Sequence, residues 1–107
     1  MGVTAENVAK KFNISREEQD NFALNSQQKT QKAIIGKKFE DELVEVNLNQ
    51  TYLRKDEHPR IDLKLLDLQK LNTVFENNGT VTPGNSSGIN DGAAALLLMT
   101  LDEAEKK

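Results

Sequence analysis

Ser15-Arg16-Glu17-Glu18 puts a hydroxyl and, three residues later, a carboxylate at the entry to a long run without turn residues. That pair is a capping box: each group satisfies a backbone N–H that the start of a helix leaves without a partner. A long helix is predicted from here to about Ile35. Phe22, Ser26, Thr30 and Ala33 fall on one side of it, a narrow stripe of small residues suited to close packing. Gly36 stands where a helix C-terminus favours a left-handed residue. Lys32, Lys37 and Lys38 complement the negative end of the helix dipole.

The rest of the chain arranges itself around that helix. Thr4 is expected to cap a shorter helix with Ala5, Val8 and Phe12 on one face, broken at Asn13-Ile14. Residues 42–48 alternate in the manner of a strand, with Val44, Val46 and Leu48 on one side. Asn49 to Arg60 is polar, contains Pro59 and reads as loop. Leu63, Leu65, Leu66, Leu68 and Leu71 form a short leucine-rich helical stretch, closed by Phe75 before the turn Asn77-Asn78-Gly79. Thr80-Val81-Thr82 is strand-like, and Pro83 to Gly88 is a loop of small residues. Ala93 to Met99 is apolar throughout, fitting a buried strand or a buried helix segment with neighbours on both faces. Leu101 to Lys107 begins a polar helix. The chain opens at one helix entry and closes at another, so both ends are expected to be cut from a longer fold.

Composition excludes several classes of function. With 107 residues there is one domain at most, and 36% hydrophobic residues make a thin core. The net charge of −3, with acids and bases interspersed, argues against nucleic acid or an anionic membrane surface as partner. There is no cysteine and a single histidine, His58, so the chain contains no thiol nucleophile, disulfide or multi-histidine metal site. No apolar run approaches the ~20 residues of a membrane span, and no signal-peptide pattern opens the chain. A cytoplasmic origin is the default expectation.

The stretch Gly79-Thr80-Val81-Thr82-Pro83-Gly84-Asn85-Ser86-Ser87-Gly88-Ile89-Asn90-Asp91-Gly92-Ala93-Ala94-Ala95 closely resembles a signature of the thiolases, the acetyl-CoA acetyltransferase family. Three further segments match in the same order. Met1-Gly2-Val3-Thr4-Ala5-Glu6-Asn7 resembles the family's "MGxTAEN" segment. Ser15 to Asp20, with Phe22-Ala23 and Ser26-Gln27, is similar to its "SRxEQDxFAxxSQ" helix. Asp56-Glu57-His58-Pro59-Arg60 resembles its "DExPR" turn.

The resemblance implies an α/β class: an α+β fragment of a layered αβαβα fold, with long helices, a short strand, an extended loop region and one buried core strand. Residues 1–79 would form a loop-domain segment covering coenzyme A, and residues 80–107 a strand and helix start returning to the core. Thiolases condense or cleave acyl-CoA through two cysteines and an oxyanion hole built with a histidine and an asparagine-held water. Those catalytic groups fall outside the matching stretch, so no catalytic residue is assigned here and the isolated chain is expected to be inactive.

For coenzyme A (a substrate thioester here, with no cofactor expected), the resemblance carries contacts onto particular positions. Arg60 matches the arginine beside the nucleotide end, and Ser87 the serine bonded to the pantetheine arm. Phe75, Leu68, Pro83 and Ile89 match positions lining the same tunnel, and Met1 a methionine near its inner end. Asp67 stands where relatives often carry serine near the adenine, Asn72-Thr73 replaces a frequent Arg-Pro, and Ser86 replaces a frequent alanine. By family, the partners are acyl-CoA, the remainder of the subunit, and further copies in a tetramer.

From the residues alone, blander readings stand beside these. Arg60 and His58 read as exposed loop residues, Asp91 as a turn residue, and Phe22 and Phe75 as core. A helical interaction piece and a stand-alone CoA-binding module remain the alternatives to a thiolase fragment.

Overall fold

The structure, a computed structural model, describes residues 1–106. Lys107, placed in the last helix by sequence, lies outside the described residues. Helix α1 spans Gly2–Phe12 and α2 spans Arg16–Ile35. A two-stranded antiparallel hairpin follows, β1 (Val46–Asn47) with β2 (Tyr52–Leu53), in the register Val46 opposite Leu53 and Asn47 opposite Tyr52. Helix α3 is Leu65–Gln69, and α4 is Leu101–Ala104.

The capping box forms as predicted. The Glu18 N–H donates to the Ser15 hydroxyl at 3.2 Å, and the Ser15 N–H donates to the Glu18 carboxylate at 2.7 Å. The Asn13-Ile14 break is also present. Asn13 adopts φ 53°, and Ile14 donates back to the Ala9 carbonyl at 2.9 Å, which closes α1 with a left-handed residue. Asn78, at φ 59°, forms the expected turn before Gly79.

Several expectations are corrected. Thr4 does not cap α1. The Ala5 N–H reaches the Met1 carbonyl at 3.1 Å, so the helix starts three residues earlier with Met1 at its cap. The buried face of α1 carries Glu6 and Ala9, while Phe12 is exposed. Gly36 has φ −78°, and Lys37, at φ 56°, takes the left-handed conformation instead. The reason lies in the ladder: Lys38 donates to the Ala33 carbonyl at 2.9 Å, which moves the reversal one residue on.

The strand predicted over residues 42–48 shrinks to Val46–Asn47, and the loop predicted after it contains β2. Val44, Val46 and Leu48 are all exposed, because a lone hairpin has no sheet face to pack against. Thr80 to Thr82, read as strand-like, joins no strand ladder among the described residues. Val81 does accept the Val74 N–H at 3.1 Å.

Ala93 to Met99, expected to be buried, lies outside any helix or strand and is open to solvent. Leu96, Leu97 and Leu98 are each more than 80% exposed. An all-apolar segment needs cover on both faces, and no described residue provides it.

The packed centre is small and mostly polar. Its buried apolar side chains are Ala9, Leu68 and Val81, joined by Glu6, Asp20 and Thr82. Every buried side-chain nitrogen and oxygen among the described residues has a hydrogen-bond partner, as burial of polar groups requires. Helix α3 packs on α2, seating Leu68 in this centre.

Candidate functional site

The inward face of α2 runs through Arg16, Asp20, Ala23, Gln27 and Gln31, residues that share one side of a helix. It is not the Phe22–Ser26–Thr30–Ala33 stripe read from the sequence, and Phe22 is mostly exposed. This face works by hydrogen bonds. Arg16 donates to Asp20 at 2.8 Å and to the carbonyls of Leu68 and Leu71 at 2.8 and 3.0 Å, tying down the end of α3. Asp20 accepts from the Asn85 side-chain amide at 3.0 Å. Asn85 also donates to the Thr80 carbonyl at 2.9 Å and accepts from the Thr82 N–H at 2.8 Å. A buried carboxylate thus holds the small-residue loop in one shape.

Glu6 reaches the same region from α1. Its carboxylate accepts from the Thr80 N–H at 2.9 Å, the Val81 N–H at 2.8 Å and the Thr80 hydroxyl at 2.9 Å. Burial pushes the Glu6 carboxyl up, but these donors and the nearby Lys10 charge outweigh it, and its pKa is lowered from 4.5. Gly79 is required at this point: a Cβ there would collide with the Glu6 carboxylate.

With both ends of the loop fixed, an open cleft of about 1020 Å³ forms between three walls. Phe22, Ala23, Ser26, Gln27 and Thr30 of α2 make one wall. Asp56 to Arg60 makes the second, and Gly84 to Ser87 with Ile89 to Asp91 the third. The second and third walls touch where the His58 ring lies against Gly88. A Cβ on Gly88 would sit 3.2 Å from the His58 Cε1. Arg60 joins no salt bridge among the described residues, although Asp56, Glu57 and Asp91 also line the cleft. Among the described residues lining the cleft, its guanidinium is the one fixed positive charge. That fork of donors suits phosphate, while the three carboxylates disfavour an anion elsewhere along the walls.

Of the residues singled out from the sequence, Arg60, Ser87 and Ile89 line this cleft. Leu68 is buried beneath it, and a Cβ on Gly84 would strike Leu68 and Leu71, so the leucines form the floor under the third wall. Pro83 is exposed beside Gly84. Asp67 caps α3 by accepting the Lys64 N–H at 3.1 Å and lies 3.7 Å from the Lys70 ammonium. Phe75 packs on Gly2, and Met1 is fully exposed, so both lie on the α1 side, away from the cleft. Sequence reading missed Gln27 and Asn85. Both lay within the quoted motifs, but no local pattern announces a hydrogen bond to a distant loop.

The cleft contains no thiol, and no group of three or more His, Cys, Asp or Glu able to hold a metal occurs among the described residues. Nor is any described helix long and apolar enough to cross a membrane. The walls offer one guanidinium, three carboxylates, and the hydroxyls and amides of Ser26, Gln27, Ser87 and Asn90 around an open space.

A protein-family model described as "Thiolase, N-terminal domain" matches residues 1–102. A probable acetyl-CoA acyltransferase of Staphylococcus aureus (strain COL) is 47% identical over 99% of this chain and 28% of its own length. An acetyl-CoA acetyltransferase of Paracoccus denitrificans is 48% identical over 100% of the chain and 28% of its own length. Among solved structures, the acetyl-CoA acetyltransferase of Bacillus anthracis superposes with a TM-score of 0.88 at 42% identity, over 99% of this chain and 28% of that one. Human mitochondrial 3-ketoacyl-CoA thiolase in complex with CoA gives 0.75 at 46% identity, over 80% and 22% respectively. The chain thus spans 28% of the length of the curated relatives it matches.

Proposed function

The chain belongs to the thiolase family, and from that premise we propose that it supplies one side of a coenzyme A thioester site in an acyltransferase. The observation that carries this reading is the three-walled cleft, in which Arg60, Ser87 and Ile89 converge. Arg60 would take the nucleotide phosphates, where its unpaired guanidinium gives a bidentate contact. The Ser87 hydroxyl would bond an amide of the pantetheine arm, and Ile89 and Phe22 would cover its methylenes. Pro83 and Leu68 would support that arm from the third wall and its floor, whereas contacts at Phe75, Met1 and Asp67, which lie outside this cleft, would require the ligand to extend beyond it. Coenzyme A enters as substrate.

The reaction of the parent enzyme is acyl transfer between CoA thioesters, by Claisen condensation or by thiolysis. It needs a thiolate to take the acyl group, and this chain has no cysteine. Within the reaction these residues therefore bind and orient, and the covalent steps fall to a cysteine outside the chain. The exposed Leu96 to Leu98 would be covered by the remainder of the subunit, in a cytoplasmic tetrameric enzyme of fatty acid metabolism.

The test is a CoA titration of the chain followed through its amide NMR signals. Shifts largest at residues 56–60, 84–91 and the α2 wall around Phe22, abolished by Arg60→Ala, are expected. Indifference of these signals to millimolar CoA removes the reading.

A further inference from the structure

The two loop walls of the cleft are held to α2 by different devices. The third wall hangs on the buried Asp20–Asn85 pair. The second wall is held more lightly. No backbone–backbone hydrogen bond anchors residues 55–63 among the described residues. Their polar links to α2 are two: the Arg60 N–H donates to the Gln27 side-chain oxygen at 2.9 Å, and Gln31 donates to the Asp62 carboxylate at 3.3 Å.

Gln27 and Gln31 lie one turn apart, so a rigid helix presents both at a set spacing. Between them they grip positions 60 and 62 of the loop, where Asp62 holds the left-handed φ of 62°. A loop side chain that must be ordered on binding weakens affinity, and ordering it beforehand recovers that loss.

We propose that Gln27 is a positioning residue for Arg60, presetting the guanidinium to meet the phosphates of a nucleotide-bearing ligand. The inference rests on the coenzyme A reading above. Gln27 acts through the backbone of Arg60 by accepting its N–H, and Gln31 steadies the same loop two residues on.

Because Gln27 also lines the cleft, a double-mutant cycle separates positioning from direct contact. Gln27→Met keeps side-chain length and helix preference but removes the acceptor. Amide exchange at Arg60 and CoA affinity are measured on the whole chain by NMR. Faster Arg60 exchange and CoA binding weakened roughly fivefold are expected, the scale of one net hydrogen bond. In an Arg60→Ala background the same change has no further effect on affinity. Gln27→Glu, which keeps an acceptor, leaves the Arg60 amide protected, and Gln28→Met on the exposed side is silent.

Equal losses from Gln27→Met in both backgrounds overturn the proposal in favour of direct contact. Unchanged Arg60 exchange, or faster exchange in Gln27→Glu, also overturns it. If Arg60→Ala weakens binding and Gln27→Met does not, positioning falls while the coenzyme A reading stands. If Arg60→Ala binds as the unaltered chain does, or the unaltered chain does not bind CoA, both fall together.

Discussion

Glu6 shows how one side chain can organise a region. Its carboxylate gathers two backbone N–H groups and a hydroxyl from Thr80 and Val81, groups that burial would otherwise leave unpaired. Glu6→Gln removes the charge and one acceptor oxygen. We expect it to cost about 2–3 kcal/mol, the scale of charged hydrogen bonds, read as a lower midpoint in urea unfolding. Because the carboxyl's pKa is lowered in the folded chain, its contribution is complete above the unfolded value. It is lost as pH falls below about 4.5 and through the folded value. Acid unfolding of Glu6→Gln is therefore expected to be shallower than that of the unaltered chain over that range. Gly79→Ala tests the same junction sterically: its methyl would strike the Glu6 carboxylate, costing about 1–3 kcal/mol as overpacking does.

At the scale of elements, α2 is the scaffold. It carries the capping box at one end, Arg16 and Asp20 on its first turns, and Gln27 and Gln31 further along, so α3 and both loop walls hang from one rigid rod. Ser15→Ala removes the hydroxyl that receives the Glu18 N–H and is expected to cost about 1 kcal/mol, measured as reduced helical ellipticity at intermediate urea. The hairpin behaves differently. Its strands are two residues each and exposed on both faces, so Val46→Thr is expected to leave the unfolding midpoint unchanged.

The whole molecule is open. Its radius of gyration is 19.1 Å, against about 13 Å for a compact chain of this length. It exposes 9594 Å² of surface, against the roughly 6,000 Å² expected of a monomer of this mass. Part of the exposed surface is apolar, and Leu96 to Leu98, each more than 80% exposed in a row outside any helix or strand, form a strip that invites association with another chain. Light scattering is expected to show association of the isolated chain at micromolar concentration, and Leu96→Lys with Leu98→Lys to shift it toward the monomer. A clean monomer for the unaltered chain would contradict this.

Local order was readable in the residues. The Ser15–Glu18 cap, the Asn13 break and the turn at Asn78 each rest on bonds or torsions within a few positions, so residue identity decides them. The ordered motifs likewise carried family membership, because they persist whatever the chain packs against. Tertiary structure decided which face of α2 turns inward, since Asp20 and Gln27 are polar and distant donors at Asn85 and Arg60 draw them in. Those bonds span 65 and 33 residues, beyond any local pattern. It also decided the state of Ala93 to Met99, whose composition predicts burial. Burial requires a neighbour to supply the covering surface, and no described part of this chain does.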